Sequence, residues 1–193
     1  IRKKLLFKLI KFTNIIAILF VTNYNSLYHL FMRFISQKFK MTLFIRFFGL
    51  TKVPMILYCK PTVLHIDSDS VTVKIPLLRR TKNHVGSMYL GALSVGADIT
   101  SAMLALDIIK SSKKKIIPIF KDFHADFLKR AEGDVHFKCN EGLEISELVE
   151  KTIKSGQREN MVVHINAFVP SISKDIVARF ELTLSLKNKG SWL

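Results

Sequence analysis

The first forty residues contain no aspartate or glutamate, although they carry eight Lys or Arg residues. The net charge of the chain is +15, so about half of the positive excess belongs to this leader, residues 1–40. Such an excess favours partners that carry phosphate, such as nucleic acid, anionic lipid or a nucleotide. The sequence has no RNP-type aromatic motif, zinc-finger spacing or Gly-Lys-Ser loop, and we therefore predict no nucleic-acid partner.

Cysteine is scarce as well. The two cysteines, Cys59 and Cys139, lie eighty positions apart and have no neighbouring His or Cys at the spacing of a zinc site. This excludes a disulfide framework and predicts no metal site. Two reduced, partly buried thiols are the expectation, which favours a reducing, cytoplasmic location.

The leader lacks an apolar run long enough to span a membrane. Its apolar segment, Ile15 to Val21, is far shorter than the roughly 20 residues that a span needs. A basic amphipathic helix lying on an anionic membrane is one interpretation, which makes the protein membrane-associated. An upstream extension of the reading frame is the other, because the chain begins with Ile and Met41 opens the domain. A cleaved signal peptide fits less well, since no small-x-small site follows Val21.

A length of 193 residues suits one domain with a sizeable core. The pattern of helices and strands predicts that this domain, residues 41–193, is of the α+β class. The longest predicted helix runs from Gly86 to Ile109. The alternation from Ile176 to Leu186 predicts a strand with one buried and one polar face. The shorter predicted helices are 41–50 and 146–154, and the shorter predicted strands are 62–66, 71–77, 115–123, 134–139 and 161–168. An antiparallel sheet wrapped around the long central helix accounts for this order.

Asp98 is the only formally charged residue between Lys82 and Asp107. Small or apolar residues share its face of the predicted helix: Gly91, Ser94, Val95, Ala102 and Ala105. Burial of a carboxylate raises its pKa unless a partner holds the charge, so Asp98 is a candidate base or nucleophile. The alternative is a structural carboxylate that is held by hydrogen bonds.

The run from Asn83 to Asp98 reads Asn-His-Val-Gly-Ser-Met-Tyr-Leu-Gly-Ala-Leu-Ser-Val-Gly-Ala-Asp. It resembles the signature of the phenylacetyl-CoA thioesterase branch of the hotdog superfamily. That signature has an Asn, a turn, His-Gly-Gly, and an acidic residue nine positions after the His. Asn83 falls at the family's Asn, Tyr89 at its His, Leu90 and Gly91 at its two Gly, and Asp98 at its acid.

A second stretch, from Asp126 to Val135, is similar to the strand turn of the same family, in which Phe-Leu-Arg-Pro-Ala is followed by Gly-Asp. Here the chain reads Asp-Phe-Leu-Lys-Arg-Ala-Glu-Gly-Asp-Val. The two stretches together resemble a hotdog branch typified by Asn-His-x-Gly-Ser-Met and Ala-Asp-Phe-Leu-Lys-Arg. The resemblance covers residues 41–193 and implies a hotdog domain there.

The resemblance implies an acyl-CoA thioesterase that releases free acid and CoA. It gives Asp98 the role of base or nucleophile, and it gives the backbone N–H groups of Leu90 and Gly91 the role of polarising the thioester carbonyl. Asn83 is expected to orient water or substrate across a dimer interface. Tyr89, in place of the family's His, either supplies a hydroxyl or packs.

Substrate binding is expected at the turn between strands. Basic side chains there suit the phosphates of CoA, although a solvated charged turn explains them equally well. The residues expected to bind substrate are Lys121, Phe127, Lys129 and Arg130. CoA enters only as part of the substrate, and the expected assembly is a homodimer or a dimer of dimers. The alternative function is a non-catalytic hotdog protein that binds acyl-CoA or acyl chains, because Tyr89 and Leu90 depart from the signature.

Overall fold

The structure is a computed structural model, and it describes residues 36–191. Residues 41–193 form one compact unit. The interpretations of the leader as a membrane-surface helix or an upstream extension fall almost entirely on residues 1–35, which lie outside the described residues.

Four α-helices and one 3₁₀ turn, Arg79–Thr81, form the helical part of the described chain. The α-helices are α1 (Gln37–Thr51), α2 (Pro54–Cys59), α3 (Leu90–Ser111) and α4 (Gly142–Ser155). Helix α2 was not predicted. It begins at Pro54. Proline is tolerated at the first helical position because an N–H group there has no partner within the helix, so its absence costs nothing.

Seven strands form one antiparallel sheet. They are β1 (Thr62–Ile66), β2 (Val71–Ile75), β3 (Lys114–Phe120), β4 (His124–Phe127), β5 (Val135–Cys139), β6 (Arg158–Phe168) and β7 (Ile176–Ser191). Their order is β1-β2-β5-β6-β7-β3, and β4 also pairs with β7. Strands β3 and β4 therefore follow each other along the same side of β7.

The sheet curls around helix α3, as the hotdog resemblance implies. Phe137 of β5 presses against Gly96 of α3, where an added Cβ would lie 2.3 Å from the ring. Helix α3 is long and apolar enough to cross a membrane by length and composition, but 61% of its most apolar stretch is buried inside the protein. The predicted α+β architecture, an antiparallel sheet wrapped around a long central helix, is confirmed.

The predicted alternation in the last strand is confirmed as well. The side chains predicted to face the core are all at most 1% exposed: Ala178, Phe180, Leu182, Leu184 and Leu186. Ser185 on the other face is also buried, because Arg158 of β6 covers it and donates to its hydroxyl at 3.0 Å. The thiols of Cys59 and Cys139 are free and buried, as expected, and burial raises the pKa of Cys139 to about 11.

Three features near the candidate site differ from the prediction, and the first is the end of strand β3, which lies at Phe120 rather than Phe123. Helix α3 begins at Leu90 rather than Gly86, because residues 83–87 fold into a tight turn in which Gly86 has a φ of +88°. Strand β4 was predicted to be part of a turn. Its residues form a short exposed strand whose apolar residues do not alternate clearly enough to predict it.

Candidate active site

Asn83 organises the turn that precedes the central helix. Its side-chain Oδ1 accepts hydrogen bonds from the backbone N–H groups of Val85 at 3.1 Å and Ser87 at 3.0 Å. Its own N–H donates to the carbonyl of Ser87 at 2.8 Å. Two N–H donors fix which end of the amide is oxygen, so Nδ2 points elsewhere, and it has no partner among residues 36–191. Asn83 thus builds the turn with its oxygen and keeps a free donor.

Arg130 braces the same turn from the other side. Its Nε donates to the hydroxyl of Ser87 at 3.1 Å, and its Nη2 donates to the carbonyl of Val85. Glu132 lies 3.2 Å from Nε and balances the charge. The guanidinium therefore holds the loop, and its contact with CoA phosphates stays a prediction.

Tyr89 caps the start of helix α3 through its backbone. Its carbonyl accepts from the N–H groups of Ala92 at 2.9 Å and Leu93 at 3.0 Å. Within the described chain, no acceptor takes the N–H groups of Leu90 and Gly91, so these two donors are available at the positive end of the helix dipole.

The ring of Tyr89 folds over the first turn of α3. A Cβ at Gly91 would lie 2.7 Å from its Cε1, so a side chain at this position would displace the ring. The side chain is 55% exposed, so it packs on the surface of the helix and not in the core. Tyr89 lines neither of the two cavities next to α3 described below.

The first of these cavities has a volume of about 440 Å³ and is lined mainly by apolar side chains. It gathers most of the predicted site: Asn83, Leu90, Phe127, Lys129 and Arg130. Its remaining walls are Val85, Ser87, Met88, Leu93, Leu128 and Ala131. The Nζ of Lys129 is paired with Asp175 at 2.7 Å, and both side chains are more than half exposed.

The second cavity, of about 450 Å³, contains Asp98 together with Lys121. Side chains that the sequence analysis did not select complete it: Ser94, Val95, Phe120, Asp122, Phe123 and Leu182. The signal that could have found Asp122 is a polar Lys-Asp pair directly after the apolar strand that ends at Phe120.

The carboxylate of Asp98 is half-buried and has no hydrogen-bond or ion-pair partner among residues 36–191. Desolvation raises its pKa, as the sequence predicted. Every fully buried side-chain oxygen in the described chain has a hydrogen bond. Since the oxygens of Asp98 have none, both are accessible to solvent. Asp98 therefore opens to its cavity as an unpartnered carboxylate with a raised pKa, the state that suits a general base.

Asp122 lies in the same cavity, but its pKa is shifted in the opposite direction. Its Oδ1 accepts the N–H of Thr183 at 2.8 Å, and these hydrogen bonds from Thr183 lower its pKa. Two carboxylates in one cavity thus have different proton affinities, with Asp122 held in the ionised form.

The two cavities are neighbours along helix α3 and strand β4. On helix α3, Leu93 lines the first cavity and Ser94 lines the second. At strand β4, Phe127 lines the first cavity and Phe123, just before the strand, lines the second. Both aromatic rings pack on Phe180, with centroid distances of 6.1 and 5.7 Å. A rise of 1.5 Å per residue places Asp98 roughly 12 Å along the helix from Leu90. Within one chain, Asp98 and Leu90, which carries one of the two free helix amides, therefore line different cavities.

No metal centre is visible near this site: among residues 36–191, no three His, Cys, Asp or Glu side chains gather closely enough to hold a metal ion.

Solved structures with the same fold include several thioesterases. A protein from Pseudomonas aeruginosa, PA5026, described as a probable thioesterase, is 21% identical with a TM-score of 0.64, over 76% of this chain and 95% of that one. Thioesterase PA1618 of the same organism is 14% identical with a TM-score of 0.58, over 79% and 95%. Thioesterase HI1161 from Haemophilus influenzae is 16% identical with a TM-score of 0.54, over 72% and 87%. These similarities establish the hotdog-like fold.

Among curated proteins, none matches the chain. A family model does match, and it spans residues 41–186, which include both cavities and every residue of the candidate site. The chain therefore belongs to the family of the domain of unknown function DUF4442.

Proposed function

We propose that this protein is an acyl-CoA thioesterase that hydrolyses an acyl-CoA to the free acid and CoA. The observation that carries the proposal is the carboxylate of Asp98, which is unpartnered in the described chain, has a raised pKa and opens to a cavity on the central helix. The thioesterases that share the fold support the choice of reaction. The resemblance of residues 83–98 to the phenylacetyl-CoA thioesterase signature supports an acyl-CoA substrate.

The proposed chemistry uses Asp98 as general base. The carboxylate takes a proton from water while the water oxygen attacks the thioester carbonyl. The electron pair of the C=O bond moves to oxygen, where the N–H groups of Leu90 and Gly91 and the Nδ2 donor of Asn83 stabilise the negative charge. When the intermediate collapses, the C–S bond breaks and the CoA thiolate leaves with the proton that Asp98 accepted.

A second copy of the chain completes this site. Base and oxyanion donors must lie within about 3 Å of the reacting atoms, which the roughly 12 Å between Asp98 and Leu90 forbids within one chain. Among the described strands, β4 pairs on one side only, with β7. Two β4 strands that meet antiparallel about a twofold axis place the Phe123 end of one beside the Phe127 end of the other. That arrangement brings Asp98 of one copy to the Asn83 turn of its partner.

Both cavities suit parts of the substrate. Apolar and aromatic walls such as Leu93, Phe123 and Phe127 suit an acyl group, and an aryl-acetyl group is compatible with them. Lys121 lies at the exposed rim of the second cavity, where its ammonium group suits CoA phosphates; Lys129, at the first, would meet them in place of its ion pair with Asp175.

Release of the CoA thiol from a panel of aliphatic and aryl-acetyl CoA thioesters tests the proposal directly. We expect turnover by the full chain on at least one class of substrate. The second candidate is a non-catalytic acyl-CoA binder, which is favoured by Tyr89 and Leu90 at positions where the family signature has His and Gly. Tight binding of acyl-CoA without thiol release by wild-type protein selects that candidate and excludes the enzyme.

The rate of hydrolysis is expected to fall as the pH is lowered through the pKa of Asp98, because only the ionised carboxylate accepts a proton. Burial raises this pKa, so the fall begins at a higher pH than for an ordinary aspartate. The measurement is kcat/KM against pH. In the Asp122→Asn variant the acid limb stays in place, because the pKa of Asp122 is lowered and lies outside this range. If the acid limb moves in the Asp122→Asn variant, the titration belongs to Asp122 and its assignment to Asp98 is wrong.

Two substitutions at Asn83 separate its structural role from its chemical one. Asn83→Asp keeps an oxygen for the N–H groups of Val85 and Ser87 but removes the Nδ2 donor, so we expect a near-unchanged thermal midpoint and a drop in kcat/KM of roughly tenfold or more. Asn83→Ala removes both and is expected to lower the thermal midpoint as well. Full activity in Asn83→Asp contradicts a role for the donor.

A further inference from the structure

Helix α1 is apolar on two faces. Thr42, Ile45 and Gly49 form its buried face. On the outer face, the side chains exposed by 45% to 66% are Leu43, Phe44, Phe47 and Leu50. We call these four residues the α1 outer face. A helix that is apolar all round normally has both faces covered, so we expect this exposed face to bind a partner.

The α1 outer face forms a continuous stripe. Leu43 and Phe47 are four residues apart and Leu50 follows three residues later, a spacing that stacks side chains along one side of a helix. Phe44 flanks the stripe, and its ring stacks on Phe48 with centroids 6.4 Å apart. Large aromatic and aliphatic groups held in a row on a helix are typical of surfaces that enter another apolar phase.

Every charge in the sequence around this face is positive. The first acidic residue of the whole chain is Asp67, whereas Arg46, Lys52 and Lys60 lie between positions 41 and 66. The guanidinium of Arg46 donates to the carbonyl of Pro61 and the hydroxyl of Thr62, both at 2.9 Å, so Lys52 and Lys60 are the exposed cations of this segment. A second copy docked here would bring like charges together, which disfavours self-association through this face. An anionic surface offers the complementary charge.

We propose that the α1 outer face docks the domain on an anionic lipid bilayer. Leu43, Phe47 and Leu50 enter the boundary between headgroups and acyl chains, while exposed Lys side chains of the same segment, such as Lys52, contact the anionic headgroups. The four residues of this docking surface lie within residues 41–186, the part of the chain that the family model matches. Docking does not depend on whether the protein hydrolyses thioesters.

Co-sedimentation of the full chain with lipid vesicles tests the proposal. We expect binding to phosphatidylcholine vesicles that contain phosphatidylserine, weak binding to pure phosphatidylcholine, and a decrease as salt is raised. Phe47→Glu is expected to weaken binding to the anionic vesicles by about tenfold or more, because it removes a ring that would enter the bilayer and adds a repelled charge. Leu43→Glu repeats the test on the same face.

Leu143→Glu is the matched control. Leu143 on α4 is 66% exposed, as is Phe47, and the substitution introduces the same charge. All variants carry the same leader, so a loss confined to Phe47→Glu and Leu43→Glu assigns the binding to α1, provided that circular dichroism shows both to be folded. Absence of vesicle binding by wild type, equal binding by the α1 variants, or an equal loss in Leu143→Glu overturns the proposal. So does a change of oligomeric state in Phe47→Glu that leaves vesicle binding intact.

Discussion

Replacing Asp98 with asparagine is expected to lower kcat for acyl-CoA hydrolysis by about 10²–10⁴-fold, the range that a general base contributes. KM is expected to change little, because the amide has nearly the same shape and the walls of both cavities remain. Steady-state release of the CoA thiol measures both constants. Asp122→Asn removes an equal charge from the same cavity, and we expect it to lower kcat far less, since Thr183 occupies that carboxylate.

The same two variants are expected to shift stability in opposite directions at neutral pH. Burial raises the pKa of Asp98 above its unfolded value, so its ionised form is a cost to the fold above that pKa, and Asp98→Asn raises the thermal midpoint. Hydrogen bonds lower the pKa of Asp122, so its charge stabilises the fold at neutral pH, and Asp122→Asn lowers the midpoint. Below the unfolded pKa of aspartate the gain in Asp98→Asn disappears. An Asp98→Asn protein that is less stable than wild type at neutral pH identifies Asp98 as a structural carboxylate.

Gly96→Ala is expected to destabilise the domain by about 1–3 kcal/mol, because a Cβ at this position lies 2.3 Å from the ring of Phe137. Phe137 is fully buried and cannot swing away. Gly91→Ala makes the same change in the same helix, but its Cβ meets the exposed ring of Tyr89, which can move. We expect Gly91→Ala to be neutral or to stabilise by up to about 1 kcal/mol through helix propensity.

Urea unfolding of the two glycine variants gives the difference in free energy. Because helix propensity favours alanine equally at both positions, a loss confined to Gly96→Ala isolates the contact between helix α3 and strand β5. Equal stability of the two variants contradicts the close packing of the central helix on the sheet.

The fold was predictable where burial leaves a period in the sequence. The alternation in strand β7 predicted its core face because side chains of a strand point to opposite sides. The start of helix α3 was misplaced by four residues, because the turn before it is fixed by the side chain of Asn83 and not by any break in apolar pattern. Strand β4 forms because it pairs with β7, which is distant in the sequence. Its four residues are exposed or half-exposed, so no apolar alternation predicts a strand there.

The candidate site was predictable in part for similar reasons. A single carboxylate within an otherwise uncharged helix predicts burial and a raised pKa, and Asp98 has both. The engagement of Arg130 with Ser87 joins residues 43 positions apart, which spacing cannot reveal. The division of the predicted residues between two cavities follows from the length of helix α3 and the position of β4, so it required the structure.

Mixing two impaired variants tests the central claim most directly, namely thioester hydrolysis by Asp98 of one copy with the Asn83 turn of another. Asp98→Asn and Asn83→Asp each leave the rest of the site in place. Random pairing of equal amounts forms mixed dimers with one intact site, so thiol release is expected to recover to about a quarter of the wild-type rate. A mixture no more active than its separate components, under conditions in which native mass spectrometry shows mixed dimers, contradicts the shared site.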